Sequence, residues 1–287
     1  MVKSVARTLK FIWEHPLASR RRSTALSSWV RWQIGSRTLG QPVIMPFVGD
    51  AVLVVEAGMT GASGNVYCGL HEFADMALTL HLLRPGDLFL DVGANVGSYT
   101  ILAAKVVGSK CLAIEPVPET VARLCRNLRV NDVSQQVDVL QCAIGASKGC
   151  IRFSTDHDTT NCTVDEHYPG ESISVPLRTI DELLVGEDPI MWKIDVEGFE
   201  REVLRGAANS LRSSRLDVVL LEADGAELST VMTEAGFVRC SYDPFSRRLD
   251  TTQARSEGQN NLWIRNISEV ESRCRTAPKR VILGTEI

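Results

Sequence analysis

Short apolar runs alternate with stretches of helical spacing along most of this chain. Residues 88–92 form one such run, after the turn Arg84-Pro85-Gly86-Asp87; from Val96 onward Tyr99, Ile101, Leu102, Ala103, Val106 and Val107 recur at helical intervals. The same patterning predicts strands over 110–114, 137–143, 190–194 and 216–221, with helices over 118–130, 199–211 and 227–235. Pro118 suits a first helical turn, and Val121, Leu124, Cys125 and Leu128 make the inward face of that helix. Shorter strands at 150–154 and 172–176 flank a polar segment, 155–171, and a short helix follows at 179–184. The last two strands, 237–242 and 261–265, are separated only by 243–260 and predict an antiparallel hairpin. Strand–helix alternation of this kind predicts an α/β fold, a mostly parallel sheet with helices on both faces.

Outside that repeat the pattern is looser. Residues 41–86 read as a lead-in: two short strands at 43–47 and 51–56, then 58–65, too rich in glycine and small residues for regular structure. Leu70, Phe73, Met76, Ala77, Leu80 and Leu83 then follow helical spacing up to Pro85. This loop and helix either cover a cofactor pocket or merely connect. Residues 1–40 carry helical apolar spacing at Leu9, Ile12 and Trp13, then at Leu26, Trp29, Val30 and Trp32. Residues 267–287 are polar and charged until 281–283 and read as a loosely attached tail. The expected organisation is a basic helical extension (1–40), the lead-in (41–86), a main domain (87–266) and the tail (267–287).

Charge changes the picture mainly at the N-terminus. Lys3, Arg7, Lys10, Arg20, Arg21, Arg22, Arg31 and Arg37 face one acid, Glu14, within residues 1–40. A peripheral membrane or partner-docking helix and an amphipathic element packed on the main domain both fit. The net charge of −4 over 287 residues argues against a dedicated nucleic-acid binder. No apolar run approaches the roughly 20 residues needed to span a bilayer. No signal-peptide core is visible either, so the expected location is cytoplasmic. The eight cysteines are scattered without a Cys-x-x-Cys and read as reduced thiols used as small apolar residues.

Candidate chemistry sits where the strands end. In such sheets ligands lie beyond the carboxyl ends of the strands, and those ends carry Asp91, Glu115, Asp195 and Glu222. A strand turning through Gly93 and Gly97 into a helix is a nucleotide-binding opening, in which glycines let the backbone approach a ligand and free N–H groups face it. Glu115 follows Asp91 near the offset of about 20 residues at which an acid grips a ribose diol. Both NAD and S-adenosylmethionine present a ribose. The loop Gly93-Ala-Asn-Val-Gly97, however, has Asn95 where a dinucleotide fingerprint needs its central glycine. A ligand without a pyrophosphate tolerates that side chain.

These residues resemble the FkbM-type methyltransferases. The resemblance runs from about Gly64 to Arg265 and rests on Asp-Val-Gly-Ala-Asn-Val-Gly-Ser-Tyr-Thr (91–100), Ile-Glu-Pro (114–116), Lys-Ile-Asp-Val-Glu-Gly-Phe-Glu (193–200) and Val-Leu-Arg-Gly (203–206). The lead-in motif Gly64-Asn65 … Gly69-Leu-His-Glu-Phe73 is also similar. The resemblance implies a class I (Rossmann-like) seven-stranded sheet ordered 3-2-1-4-5-7-6 and a main domain that transfers methyl groups from S-adenosylmethionine to oxygen on sugars, glycans or natural products. It further implies that Asp91, Gly93, Ala94, Asn95 and Gly97 line the amino-acid and ribose part of the cofactor, that Glu115 holds the ribose hydroxyls, and that Cys142 and Ala143 flank the adenine.

Lys193 and Asp195 share parity on their strand, so both point to one side. A lysine within Met191-Trp192-Lys193-Ile194 needs a partner, either Asp195 or Glu222. The pair either braces two strands or sits at the mouth of the methyl-transfer site. A hydroxyl acceptor must lose its proton, and Asp195 first, Glu197 second, are the candidate acceptors, with Lys193 beside them. His157 and His167 are either surface residues or part of an acceptor site; no ligand spacing supports a metal. The other readings weighed are an RNA or protein methyltransferase of the same fold, an NAD-linked dehydrogenase, and a non-catalytic nucleotide-binding module.

Overall fold

A computed structural model describes residues 2–56, 59–154, 170–252 and 260–287. Its centre is one eight-stranded sheet, β1 (Leu88–Val92), β2 (Lys110–Ile114), β3 (Val137–Leu140), β4 (Met191–Ile194), β5 (Val218–Leu221), β6 (Val238–Asp243), β7 (Arg248–Asp250) and β8 (Asn261–Ile264). The spatial order is β7-β6-β8-β5-β4-β1-β2-β3. The strands β3, β2, β1, β4 and β5 are parallel to their neighbours, and β8 and β6 add on antiparallel. Without β7, the order is the expected 3-2-1-4-5-7-6. The seven-strand count needs correcting: a tight turn, with Arg247 N bonded to Asp243 O, folds the short edge strand β7 back onto β6.

Both faces of the sheet are buried, as strands read as continuous apolar runs require. Phe89, Met191, Val218 and Leu262 enter one core, while Leu90, Trp192, Val219 and Trp263 enter the other. Ten helices surround the sheet among the described residues: α1 (Val2–Glu14), α2 (Arg22–Leu39), α3 (Thr60–Cys68), α4 (Phe73–Leu82), α5 (Ser98–Ile101), α6 (Pro118–Val130), α7 (Ile180–Leu183), α8 (Glu200–Arg205), α9 (Ala226–Glu234) and α10 (Ile267–Thr276). Beyond α5 the chain widens into a π-helical stretch, Leu102–Val107.

Five further sequence expectations give way. The glycine-rich segment is not irregular: most of it is α3, whose last turns bury Val66, Tyr67 and Cys68. Packing supplies what propensity lacks. Gly64 lies so close to His71 that a Cβ would meet its ring at 2.1 Å, and Asn65 accepts from His71 N and donates to Ser98 Oγ. The C-terminal segment is not loose either: α10 buries Val270 and Cys274, and the hairpin after it buries Ile282. Buried Arg247 donates to the carbonyls of Cys274, Ala277 and Ile287, tying that segment to the edge of the sheet.

The predicted strand 137–143 stops at Leu140, because Ala143–Ile144 leaves to pair with Ser172–Arg178, which also pairs with Gly149–Ser154 in a small separate sheet. The predicted helix 199–211 ends as α8 at Arg205, where Gly206 packs against Gly145 so tightly that a Cβ would lie 2.0 Å from its carbonyl oxygen. On α6 the buried face is also turned from the apolar count, since it includes Asn127 and Thr120. Asn127 and Asn131 accept from the N–H groups of Val54 and Val52, giving the lead-in strand Val52–Val55 two side-chain rungs.

Candidate active site

The carboxyl ends of β1, β2 and β4 meet at a cavity with about 720 Å³ of empty space, its mouth included. Glu115 stands on one wall, 7% exposed, and accepts from Asn95 N (3.0 Å) and Val117 N (3.1 Å). Burial pushes its carboxyl up to about 7, against those two hydrogen bonds. Cys142 and Ala143, beside Val117 and Phe153, make an apolar end of the same cavity.

Asp91 is deeper. Its Oδ2 accepts from Thr100 Oγ1 at 2.6 Å, while its Oδ1 is buried without a protein partner. Burial raises the Asp91 carboxyl, moderated by Lys193.

The glycines serve the protein rather than the ligand. A Cβ on Gly93 would lie 1.8 Å from the backbone oxygen of Asp195, and one on Gly97 would lie 2.4 Å from Leu124 Cδ1. Nor does the loop offer free amides. The N–H groups of Gly93 and Ala94 donate to Ile114 O, Asn95 to Glu115, Val96 to the Asn95 side chain, and Gly97 to Ala94 O. Five consecutive donors are used, so the anion cradle that a pyrophosphate needs is not in this loop.

A second cavity opens on the other side of the Gly93–Asn95 turn, lined by Asn65, His71 and Glu72 of the lead-in and by Tyr99 and Lys193. The two cavities share Gly93, Asn95, Asp195 and Glu197. Asn95 (φ 52°) and Glu197 (φ 53°) both line that seam, in left-handed conformations that non-glycine residues hold at a cost of about 1–3 kcal/mol. Glu200, 1% exposed, accepts from the N–H groups of Val196 and Gly198 and so props up the turn that presents Glu197.

Lys193 is 3% exposed, and its Nζ sits 2.6 Å from Asp195 Oδ2 and 5.1 Å from the Tyr99 ring centroid. Register places Lys193 directly beside Asp91 on β1. Burial works against the ammonium, but the carboxylates of Asp195, Asp91 and Glu72 outweigh it and raise its pKa. Burial likewise works against the Asp195 carboxylate, and Lys193 outweighs it, holding Asp195 below the usual range. Burial first, then the hydrogen bond and charge of Asp195, push Glu222 up to about 8, so the two carboxyls share one proton near neutral pH. Glu197 is raised by burial and by Asp195. Among the described residues, Asp195, Glu197 and Glu222 bring one oxygen each within 4.8 Å of one another.

Of the sequence-predicted site residues, Gly93, Asn95, Asp195 and Glu197 stand at the seam, Glu115, Cys142 and Ala143 line the first cavity and Ala94 and Lys193 the second, while Asp91 is buried beside Lys193 and Gly97 packs on Leu124, both outside the two linings. His157 and His167 lie outside the described residues. Sequence reasoning gave no role to His71, Glu72 or Tyr99, although His71 and Glu72 stand inside the Leu-His-Glu-Phe motif. Tyr99 is 4% exposed with an unpartnered hydroxyl, and burial together with Glu72 and Asp75 raises its pKa well above the ordinary value.

The methyltransferase FkbM domain matches residues 91–239, just over half of the chain, from the end of β1 to the start of β6. The chain belongs to the FkbM methyltransferase family. The chain is similar to the hexuronic acid methyltransferase AglP of Haloferax volcanii, 30% identical over 55% of this chain and 66% of AglP. The 31-O-demethyl-FK506 methyltransferase FkbM of Streptomyces tacrolimicus is 38% identical over 56% of this chain and 77% of its own length. Methyltransferase 1 of Beauveria bassiana is 28% identical over 53% and 73%. Family membership makes this chain a methyltransferase and removes the dehydrogenase and binding-module readings. Among the described residues, no helix is long and apolar enough to cross a membrane.

Proposed function

We propose that this FkbM-family methyltransferase uses S-adenosylmethionine to methylate a hydroxyl of a sugar, glycan or natural product. The observation that carries the reading is the seam where two cavities meet over Asp195 and Glu197. The residues fit the donor. Glu115 offers acceptor oxygens for ribose hydroxyls, Asp91 keeps a buried unpartnered oxygen, Cys142 and Ala143 give an apolar flank for adenine, and the loop's spent amides suit a ligand without pyrophosphate. Bound there, S-adenosylmethionine supplies an electrophilic methyl group whose bond to sulfur breaks as the acceptor oxygen attacks. Asp195 takes the acceptor's proton, Lys193 fixes the orientation of that carboxylate, and Glu197 stands second in line on the strained turn. The substrates for which two relatives are named, a hexuronic acid and 31-O-demethyl-FK506, support an oxygen-bearing acceptor.

Calorimetry with S-adenosylmethionine and NAD tests the donor, and labelled methyl transfer to glycan, small-molecule, RNA and protein fractions tests the acceptor. Label in RNA or protein alone would overturn the acceptor class; absence of S-adenosylmethionine binding would overturn the donor. A sharper expectation concerns pH. A carboxylate accepts from ribose hydroxyls better than a carboxylic acid does, and Glu115 titrates at about 7. Donor affinity should therefore rise roughly ten-fold from pH 6 to pH 8, and Glu115→Gln should flatten that dependence. A pH-independent dissociation constant in the unaltered protein would count against Glu115 as the ribose ligand.

A further inference from the structure

The helical pair α1 and α2 carries a surface that the catalytic reading does not use. Residues 1–40 hold eight basic side chains against one acid, while the whole chain carries −4, so the remaining 247 residues carry −11. The pair is not a free arm. Ile12, Ala18 and Ala25 share a buried cluster with Tyr67 and Cys68 of α3, His15 Nε2 lies 2.8 Å from Leu70 O, and Arg21 donates to Gly284 O. With its inner face taken, the outward face is fixed relative to the domain. On α1 that face presents Arg7, Lys10 and Trp13; on α2 it presents Val30, Arg31, Ile34 and Arg37. The two helices' outer faces meet where the Arg22 guanidinium stacks 4.1 Å over the Trp13 ring.

Trp13 is 55% exposed, Val30 44% and Ile34 62%. Among the described residues eight large apolar side chains are exposed, and these three include the only aromatic one. Apolar and cationic groups interleaved on one helical face are what an anionic bilayer surface rewards: tryptophan and aliphatic side chains enter the headgroup region while arginines meet lipid phosphates. RNA would use the arginines, but it has no place for Val30 and Ile34. We propose that the outward face of α1 and α2 docks on an anionic lipid surface. The docked element adjoins the second cavity, since Phe11 packs on the His71 ring at 4.9 Å and His71 lines that cavity. Docking would thus hold the second cavity of the methyltransferase beside the bilayer.

The test uses the full chain, vesicles of phosphatidylcholine alone, and vesicles with about one third phosphatidylserine, read by co-sedimentation. Binding is expected to the serine-containing vesicles only, and to weaken in 0.5 M NaCl. Reversing Arg22, Arg31 and Arg37 to Glu should lower the partition coefficient by roughly 100-fold or more, from the attraction of each basic residue to an anionic surface. Ile34→Ser with Val30→Ser should also weaken binding yet keep its salt dependence. Both sets are exposed, and circular dichroism of each variant checks that the fold is retained. No binding to anionic vesicles, equal binding to both compositions, or binding to a transfer RNA without binding to vesicles would each overturn the proposal.

Discussion

Asp195→Asn should lower turnover by roughly 10²-fold or more, the worth of a positioned proton acceptor, while leaving S-adenosylmethionine affinity nearly unchanged. Asparagine keeps the size of the side chain and an oxygen for Lys193 Nζ, now 2.6 Å from the carboxylate. It removes the basic carboxylate that receives the acceptor's proton, since an amide oxygen accepts a hydrogen bond but does not take a proton near neutral pH. The ion pair itself makes Asp195 a weak base, and the adjoining carboxyl offsets this. Glu222 holds a proton shared with Asp195 until about pH 8; once it leaves, a second negative charge stands beside Asp195 and raises its basicity. Turnover should accordingly climb as pH rises toward 8, and Glu222→Gln, which cannot ionise, should lose that climb. Full turnover in Asp195→Asn would reject the assignment, and a loss found only in Glu197→Gln would move the role there. Thermal melting of each variant separates these outcomes from simple unfolding, because Lys193 keeps Asp91 as a neighbour when Asp195 is neutralised.

What could be read from the residues was mostly what a single strand decides. β1, β2, β4 and β5 are apolar runs closed by acids, and parity alone put Lys193 and Asp195 on one side. What depends on two strands could not be read so directly. The pairing of Asp91 with Lys193 needs the register of β1 on β4, and the shared proton of Asp195 and Glu222 needs β5 beside β4. The misread segments share a cause. α3 is held by Asn65 and by the place Gly64 leaves for His71, and the C-terminal segment is held by Arg247, 20 or more residues away. Neither contact leaves a periodic trace. The Leu-His-Glu-Phe motif was visible, but its role at the second cavity depends on α3 and α4 folding against the donor loop.

Gly93→Ala should be the most damaging single-methyl change in the domain. The position combines φ +77° with an approach that would put a Cβ 1.8 Å from Asp195 O. That oxygen is backbone, fixed by the adjacent bond from Asp195 N to Val92 O, so no side chain can swing away to make room. Relief would require β1 and β4 to part at the point where both cavities meet. Left-handed strain of about 1–3 kcal/mol and overpacking of similar size add to a loss on the order of 10 °C in melting temperature. Donor binding should fall as well, because the displaced turn carries Asp195 and Glu197. Gly86→Ala provides the control: its φ is +85°, yet nothing lies within 4 Å of the added carbon, so it carries the conformational cost alone. Equal melting temperatures in the two variants would mean that backbone conformation, and not the contact with Asp195, is why glycine stands at position 93. A much lower one for Gly93→Ala, with donor binding lost, would show that this glycine serves strand-to-strand closure and the ligand only through it.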